Sequence, residues 1–237
     1  AIQDAEQRVA DDPDNLELWS VFGDSLQESG DLRGDLIALD VALESAEAPD
    51  KPAIEERRDE LIRCHCEEIG VDLIDIDCEL RFGYPRVVRV LGSGYLDGLQ
   101  SLAEMSLLIF PYSLIFHGPF PDANGARELV NSGVLENVSS LDIGCDELGD
   151  EGVRLLASSR YLGNLNVLEL VACGVGDEGA MALAASETLA KLTVLNLVGN
   201  RIGDKGAVSL ASSETLVNLR ELSLRENPIG VRGIRAL

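Results

Sequence analysis

The sequence predicts an α/β fold: a right-handed solenoid with parallel strands on its concave face and helices on its convex face, preceded by a small all-helical segment. Three observations carry that expectation. A 27-residue period runs through residues 135–237, each period joins a strand pattern to a helix pattern, and the apolar residues are mostly aliphatic. Hydrophobic residues make up 46% of the chain and aromatics only 4%. The core must therefore be built from thin, repeated layers of Leu, Val, Ile and Ala.

The period is read from columns. Leu135, Leu162, Leu189 and Leu216 stand 27 residues apart, and Val138, Leu165, Leu192 and Leu219 follow three positions on. Leu141, Leu168, Leu195 and Leu222 come next, then Ile143, Leu170, Leu197 and Leu224. A glycine column (Gly152, Gly179, Gly206, Gly233) precedes a leucine column (Leu156, Leu183, Leu210, Leu237) by four positions. Within each copy, apolar and polar residues first alternate, as in Leu195-Asn196-Leu197, which is a strand signal. An Ala/Leu-rich run after the glycine then reads as a helix. Asp150, Asp177 and Asp204 stand where helix N-caps are expected. The recurring glycine is expected where each helix approaches the strand layer. Each strand must return parallel to the one before it, and the helix supplies the crossover.

The pattern Leu-x-x-Leu-x-x-Leu-x-Leu-x-x-Asn, followed by Gly-Asp-x-Gly, resembles ribonuclease-inhibitor-type leucine-rich repeats over residues 135–237. LTVLNLVGNRIGDKGAVSLA and LRELSLRENPIG carry it most clearly. The resemblance implies that Cys173, Asn200 and Asn227 satisfy backbone groups inside the turn after each strand. Asp146 occupies that column in the first copy and departs from the pattern.

A degenerate copy precedes these four. Leu114, Phe116, Gly125 and Leu129 fall in their columns, as does Leu108, but Pro111 and Pro121 occupy apolar ones. Earlier still, Arg86–Leu91 reads as a strand and Tyr95–Ser106 as a helix. The expected organisation is a helical domain over 1–70 and a solenoid over 71–237. Within the solenoid, 71–134 are capping or degenerate repeats, and 135–237 are four regular repeats, the last incomplete.

Residues 1–70 carry helix signals. Asp12-Pro13-Asp14-Asn15 starts a helix holding Leu16, Trp19, Phe22, Gly23 and Leu26, which Gly30 closes. A shorter helix, Ile2–Ala10, precedes it. Helices through Leu36–Leu43 and from Ala53 to about Ile69 follow, the latter after Pro49 and Pro52. The stretch DPDNLELWSVFGDSLQESGDLRGDLIAL resembles a repeat-companion domain attached to leucine-rich repeats in large bacterial proteins. RFGYPRVVRVLGSGYLDGLQSLAEMSLLIF is similar to the linker of such proteins.

Charge narrows the partners. The net charge is −23, and residues 1–80 hold 24 Asp/Glu against 6 Lys/Arg. Such a chain repels phosphate backbones and anionic lipid, so neither nucleic acid nor a membrane is an expected partner, whereas a protein with a basic patch is. Five scattered cysteines make no disulfide framework and point to the cytoplasm.

No constellation supports catalysis, a cofactor or a metal. Cys64-His65-Cys66 cannot converge on one ion from a helix, because adjacent residues point about 100° apart. Asp72, Asp75, Asp77 and Glu79 lack the ligand alternation and glycine of a calcium loop. Gly92-Ser93-Gly94 has no following Lys-Ser/Thr. His65 and His117 are the only histidines.

The expected site is the concave strand face. Between the inward leucines, Ser140, Asp142, Val167, Glu169, Val194, Asn196, Glu221 and Ser223 point outward, with Val171, Val198 and Arg225 at the rim. About six strands at roughly 4.8 Å spacing give a face about 24 Å wide, enough for a helix or a small domain. The expected function is non-catalytic protein–protein interaction on that face. The alternative, regulation of a small GTPase in the manner of a GTPase-activating protein, rests only on the repeat type that such regulators share. Finally, the fourth repeat spans 22 of 27 positions and carries Val231 in the Asp column. Its helix is expected to be the weakest, and its uncapped end an association site unless further repeats follow.

Overall fold

The computed structural model describes residues 2–68, 76–82, 84–91, 110–116, 122–144 and 148–237. The chain divides into two compact units, Ala1–Ile74 with Cys78–Arg86, and Asp75–Asp77 with Val87–Leu237.

In the first unit, α1 (Ile2–Asp11), α2 (Leu16–Ser29), α3 (Leu32–Ser45) and α4 (Lys51–Glu68) pack successively. The caps are local chemistry. Asn15 caps α2 by accepting from the Leu18 N–H at 3.4 Å, and Asp31 caps α3 by accepting from Arg33 N–H at 3.0 Å. Gly30 ends α2 at φ 80°, and its N–H returns to the carbonyls of Gln27 and Leu26. Crossing of α2 and α3 requires Gly34, since a Cβ there would stand 2.7 Å from the Gly23 carbonyl oxygen. Trp19, Phe22, Leu26, Leu36 and Ile37 are buried between the helices.

The reading from sequence ends this unit at residue 70, but the compact unit also takes in Cys78–Arg86. The reason is aromatic. Phe82 stacks on Trp19 with centroids 4.5 Å apart, and Tyr84 lies 6.0 Å from Trp19 and 6.2 Å from Phe22. Burial raises the Tyr84 phenol above its ordinary pKa. These residues belong to β1 (Ile76–Arg81), to β2 (Tyr84–Val90) and to the turn between them, where Phe82 has φ 55°.

The second unit is a ladder of six parallel strands in chain order. Val87–Val90 of β2 pair with β3 (Tyr112–Phe116), followed by β4 (Val138–Ile143), β5 (Val167–Glu169), β6 (Val194–Asn196) and β7 (Glu221–Ser223). Helices α5 (Ala123–Asn131), α6 (Gly149–Ala157), α7 (Asp177–Ala184), α8 (Asp204–Ala211) and α9 (Val231–Ile234) alternate with β3–β7, and a 3-10 turn spans Arg160–Leu162. The 27-residue register is the pairing register: Leu114, Leu141, Leu168, Leu195 and Leu222 lie side by side. The first four are wholly buried, whereas Leu222 in the last repeat is half-buried.

Several expectations are corrected. The last three strands are three residues long, and beyond them Leu170 N–H still donates to Asn196 O at 2.9 Å and Leu197 N–H to Ser223 O at 2.8 Å. The chain then turns through left-handed residues at Ala172, Gly199 and Glu226, with φ 56°, 73° and 59°. Pro111 does not fill its apolar column. A register shift between Tyr112 and Ser113 pairs Tyr112 with Val138 instead, and the buried Tyr112 hydroxyl donates to the Val134 carbonyl.

The aspartates do not cap their own helices. Asp177 and Asp204 open α7 and α8 and Asp150 lies one residue into α6, yet none of these helices has a side-chain bond at its N-cap. Each carboxylate reaches the next repeat instead. Asp150 Oδ1 accepts from the N–H groups of Gly176 (2.6 Å) and Gly179 (2.9 Å), and Asp177 Oδ1 from those of Gly203 and Gly206 (both 2.8 Å). Asp204 Oδ1 accepts from Gly233 N–H at 2.7 Å. At Gly179, Gly206 and Gly233 the column is required both by the preceding repeat's carboxylate and by the apolar side chain four residues earlier, and at Gly152 by Leu148. A Cβ on Gly179, Gly206 or Gly233 would stand 2.7–2.9 Å from that carboxylate oxygen. Helix α9, with Val231 in the Asp column, is only four residues long.

Several expectations fall outside the described residues: the Tyr95–Ser106 helix, Gly92-Ser93-Gly94, Leu108, His117, Pro121, Asp72, Asp75 and Asp146. Cys64-His65-Cys66 and Asp77 lie in α4 and β1 by backbone, and their side chains are likewise outside them.

Candidate functional site

The outer face of the strand ladder is set by the same register that buries the leucines, because successive side chains on a strand point to opposite sides. Two rows result. Ser140, Val167, Val194 and Glu221 are in register, and so are Asp142, Glu169, Asn196 and Ser223. Glu221 is exposed and the other seven are half-buried, as expected of residues flanked by neighbouring strands. Arg225 is exposed beyond Ser223, and Val171 and Val198 are half-buried at the strand ends. The eight residues between the inward leucines thus stand in two neighbouring rows.

Ser113 and Ile115 extend the two rows on β3, pairing with Ser140 and Asp142, and Ile115 pairs in turn with Arg89 on β2. The sequence reading placed only Leu114 and Phe116 of this strand in columns and did not carry the outward rows back to it. The 27-residue spacing from Asp142 back to Ile115 was the available signal.

The patch is acidic with an apolar centre. Asp142 and Glu169 sit on adjacent strands in register, about 4.8 Å apart in backbone spacing. Glu169 is partly held, since the Asn196 amide donates to its Oε2 at 3.2 Å. Asn196 Oδ1 in turn accepts from Val198 N–H at 3.2 Å. Val167 and Val194 lie side by side in the other row.

Three polar ladders hold this face in position. At the end of each strand, Asn200 is 5% exposed and makes four bonds. Its amide donates to the carbonyls of Leu170 (2.7 Å), Leu197 (3.0 Å) and Val198 (3.3 Å), and its Oδ1 accepts from Val175 N–H at 3.0 Å. Asn227 repeats the arrangement one layer on. In the same column the buried Cys173 donates its thiol to the Ile143 carbonyl at 2.8 Å, as the repeat resemblance implies. The aspartate–glycine bonds form the second ladder. The third was not anticipated: Ser186 and Thr188 both donate to the Ala157 carbonyl (2.5 and 3.1 Å), and Ser213 and Thr215 to that of Ala184 (2.6 and 2.7 Å). Its signal is the recurrence of Ser-Glu-Thr-Leu at residues 186–189 and 213–216.

Among the described residues, no group of three or more His, Cys, Asp or Glu is placed to hold a metal ion, and no helix is long and apolar enough to cross a membrane. No curated protein is similar enough to the chain to match it. A family model described as Leucine Rich repeat matches residues 164–184, 188–211 and 215–237. Repeats of this kind generally mediate protein–protein interaction. The matched segments coincide with the layers β5–α7, β6–α8 and β7–α9, so this region carries leucine-rich repeats.

Proposed function

We propose that the chain is a non-catalytic protein-binding module that engages a partner with a basic patch on the outer strand face. The single observation that carries the reading is the continuous two-row patch, with Asp142 and Glu169 in register beside the Val167–Val194 pair. A partner's Lys or Arg would place its charge between the carboxylates and its alkyl stem on the valines. The right-handed crossover general to β–helix–β units supports a right-handed solenoid, and the strand face is read as its concave side. A cytoplasmic location is part of the proposal, supported by the buried free thiol of Cys173. So is a companion role for residues 1–70, supported by their helical build. No residue described here favours the GTPase-regulator alternative.

The test uses Glu169→Lys with Asn196→Lys, two outward positions, and Lys205→Glu on α8 as a surface control. Proteins retained from a lysate of the source organism by the unaltered chain are identified by mass spectrometry. Loss of a specific partner in the double variant and its retention by the control is the expected result. Equal retention by both, with circular dichroism unchanged, would overturn the assignment of the face.

A further inference from the structure

The second unit also holds a cleft away from the strand face, lined by residues from α5, the C-terminal half of α6 and the 3-10 turn, with a volume of about 390 Å³. Arg127 and Arg160 line it, together with Tyr161 and Asn131, over an apolar wall of Val130 and Leu155. None of its eight lining residues is an Asp or Glu, in a chain that has 42 of them. Two arginines in an acid-free lining reverse the local sign of the charge.

Both guanidinium groups are held. Arg160 Nη2 donates to the Tyr161 hydroxyl at 2.6 Å, and its Cζ lies 4.8 Å from the centre of the Tyr161 ring. Arg127 Nη1 donates to Asn124 Oδ1 at 3.0 Å, and its Nη2 stands 3.7 Å from Glu151 Oε1. That carboxylate is itself held by Arg154 at 2.5 Å. The Tyr161 hydroxyl, and more weakly the charge of Glu136, keep Arg160 protonated above its already high pKa. Glu151 faces Arg127 and Arg154, and Glu136 acts on Arg160 from a greater distance. The fixed forks leave N–H donors on both arginines for a planar or tetrahedral anion. The volume falls in the range of small-ligand sites.

We infer that this cleft binds a phosphate or carboxylate group carried on a small apolar or aromatic body, the anion between Arg127 and Arg160 and the body against Val130 and Leu155. The ligand can be a free metabolite or a modified side chain of a peptide, since both present the same chemistry. The site shares no residue with the strand face, and it stands or falls independently of the function proposed for that face.

The test is a nitrogen-15 amide titration of the full chain with phenyl phosphate, inorganic phosphate, benzyl alcohol and a short phosphotyrosine peptide. Phenyl phosphate is expected to shift the amides of Val130–Asn131 and Ser158–Tyr161 and to saturate in the millimolar range or below. Benzyl alcohol should leave them unmoved, and inorganic phosphate should bind more weakly than the phenyl ester. Arg160→Gln should weaken phenyl phosphate about tenfold, from loss of one charge-assisted contact, with Arg127→Gln acting in the same direction. Both side chains are exposed, so the melting temperature should not change. Tighter binding of the peptide than of phenyl phosphate would identify a protein source, and the reverse a free metabolite. Absence of shifts at these amides, shifts unaffected by either variant, or equal binding of inorganic phosphate would overturn the inference.

Discussion

The carboxylate of Asp177 accepts the N–H of Gly206 at 2.8 Å, so an aspartate at the start of one helix caps the helix that starts 27 residues later. The same oxygen accepts from Gly203 N–H. A charge at the positive end of α8 therefore comes from its neighbour; Asp150 and Asp177 each tie their layer to the next by two charge-assisted bonds, and Asp204 does so by one.

Asp177→Ala should accordingly cost about 2–4 kcal/mol, because two part-buried donors lose their acceptor at once. Asp177→Asn keeps a carbonyl oxygen at that position and should cost about 1 kcal/mol. Urea titrations followed by circular dichroism would compare them. Equal losses would mean that the charge, rather than the bonds, dominates.

Gly206→Ala should be severely destabilising. The added Cβ would stand 2.9 Å from Asp177 Oδ1, 2.9 Å from Ala180 Cβ and 2.8 Å from Ile202 Cγ2. Overpacking of this kind costs about 1–3 kcal/mol, plus whatever the displaced capping bonds contribute. Gly163→Ala, where nothing lies within 4 Å, should change stability by less than about 0.5 kcal/mol. Thermal melts of the two variants give the comparison.

At the left-handed turn the test is conformational rather than steric. Gly199 has φ 73° and its nearest neighbours to a new Cβ are at 3.7 Å, so Gly199→Ala meets no clash. Its cost should be about 1 kcal/mol, from the backbone alone. Ala172, in the same column at φ 56° and exposed, already bears that strain, and Ala172→Gly should be neutral or slightly stabilising. A loss on Ala172→Gly matching that on Gly199→Ala would contradict the account.

Asn200→Ala removes four bonds from a side chain that is 5% exposed. The Leu170 carbonyl and the Val175 N–H lose their partner, whereas the carbonyls of Leu197 and Val198 keep the Asn227 amide and the Ala172 N–H, and the loss should reach about 2–4 kcal/mol. Differential scanning calorimetry measures it. A loss near 1 kcal/mol would show that the turn relaxes to bond itself.

Leu195→Ala should cost about 2–5 kcal/mol, since Leu195 is wholly buried with a layer on each side. Leu237, 57% exposed, should lose well under 1 kcal/mol on the same change. The two are compared by denaturant midpoint at constant slope.

The sequence by itself determined the repeat, its period, the parallel pairing and the inward leucine rows. One number, 27, gives both the spacing in the chain and the partner across the sheet, so Leu168 meets Leu195 wherever the layers sit. It determined the outward rows for the same reason, since strand faces alternate. What it left undetermined are interactions between layers. Asp177 is equidistant in pattern from its own helix and from the next, and only the spacing of the folded layers puts its oxygen on Gly203 and Gly206. The extra residue, Ser139 of β4 opposite the Tyr112–Ser113 step, was equally hidden, because a bulge leaves no mark in a count of columns. Nor could periodicity reveal that Phe82 and Tyr84 stack on Trp19: that contact joins segments more than sixty residues apart, with no shared spacing. Local pattern therefore decided which residues face inward, and tertiary distance decided what each polar group finds there.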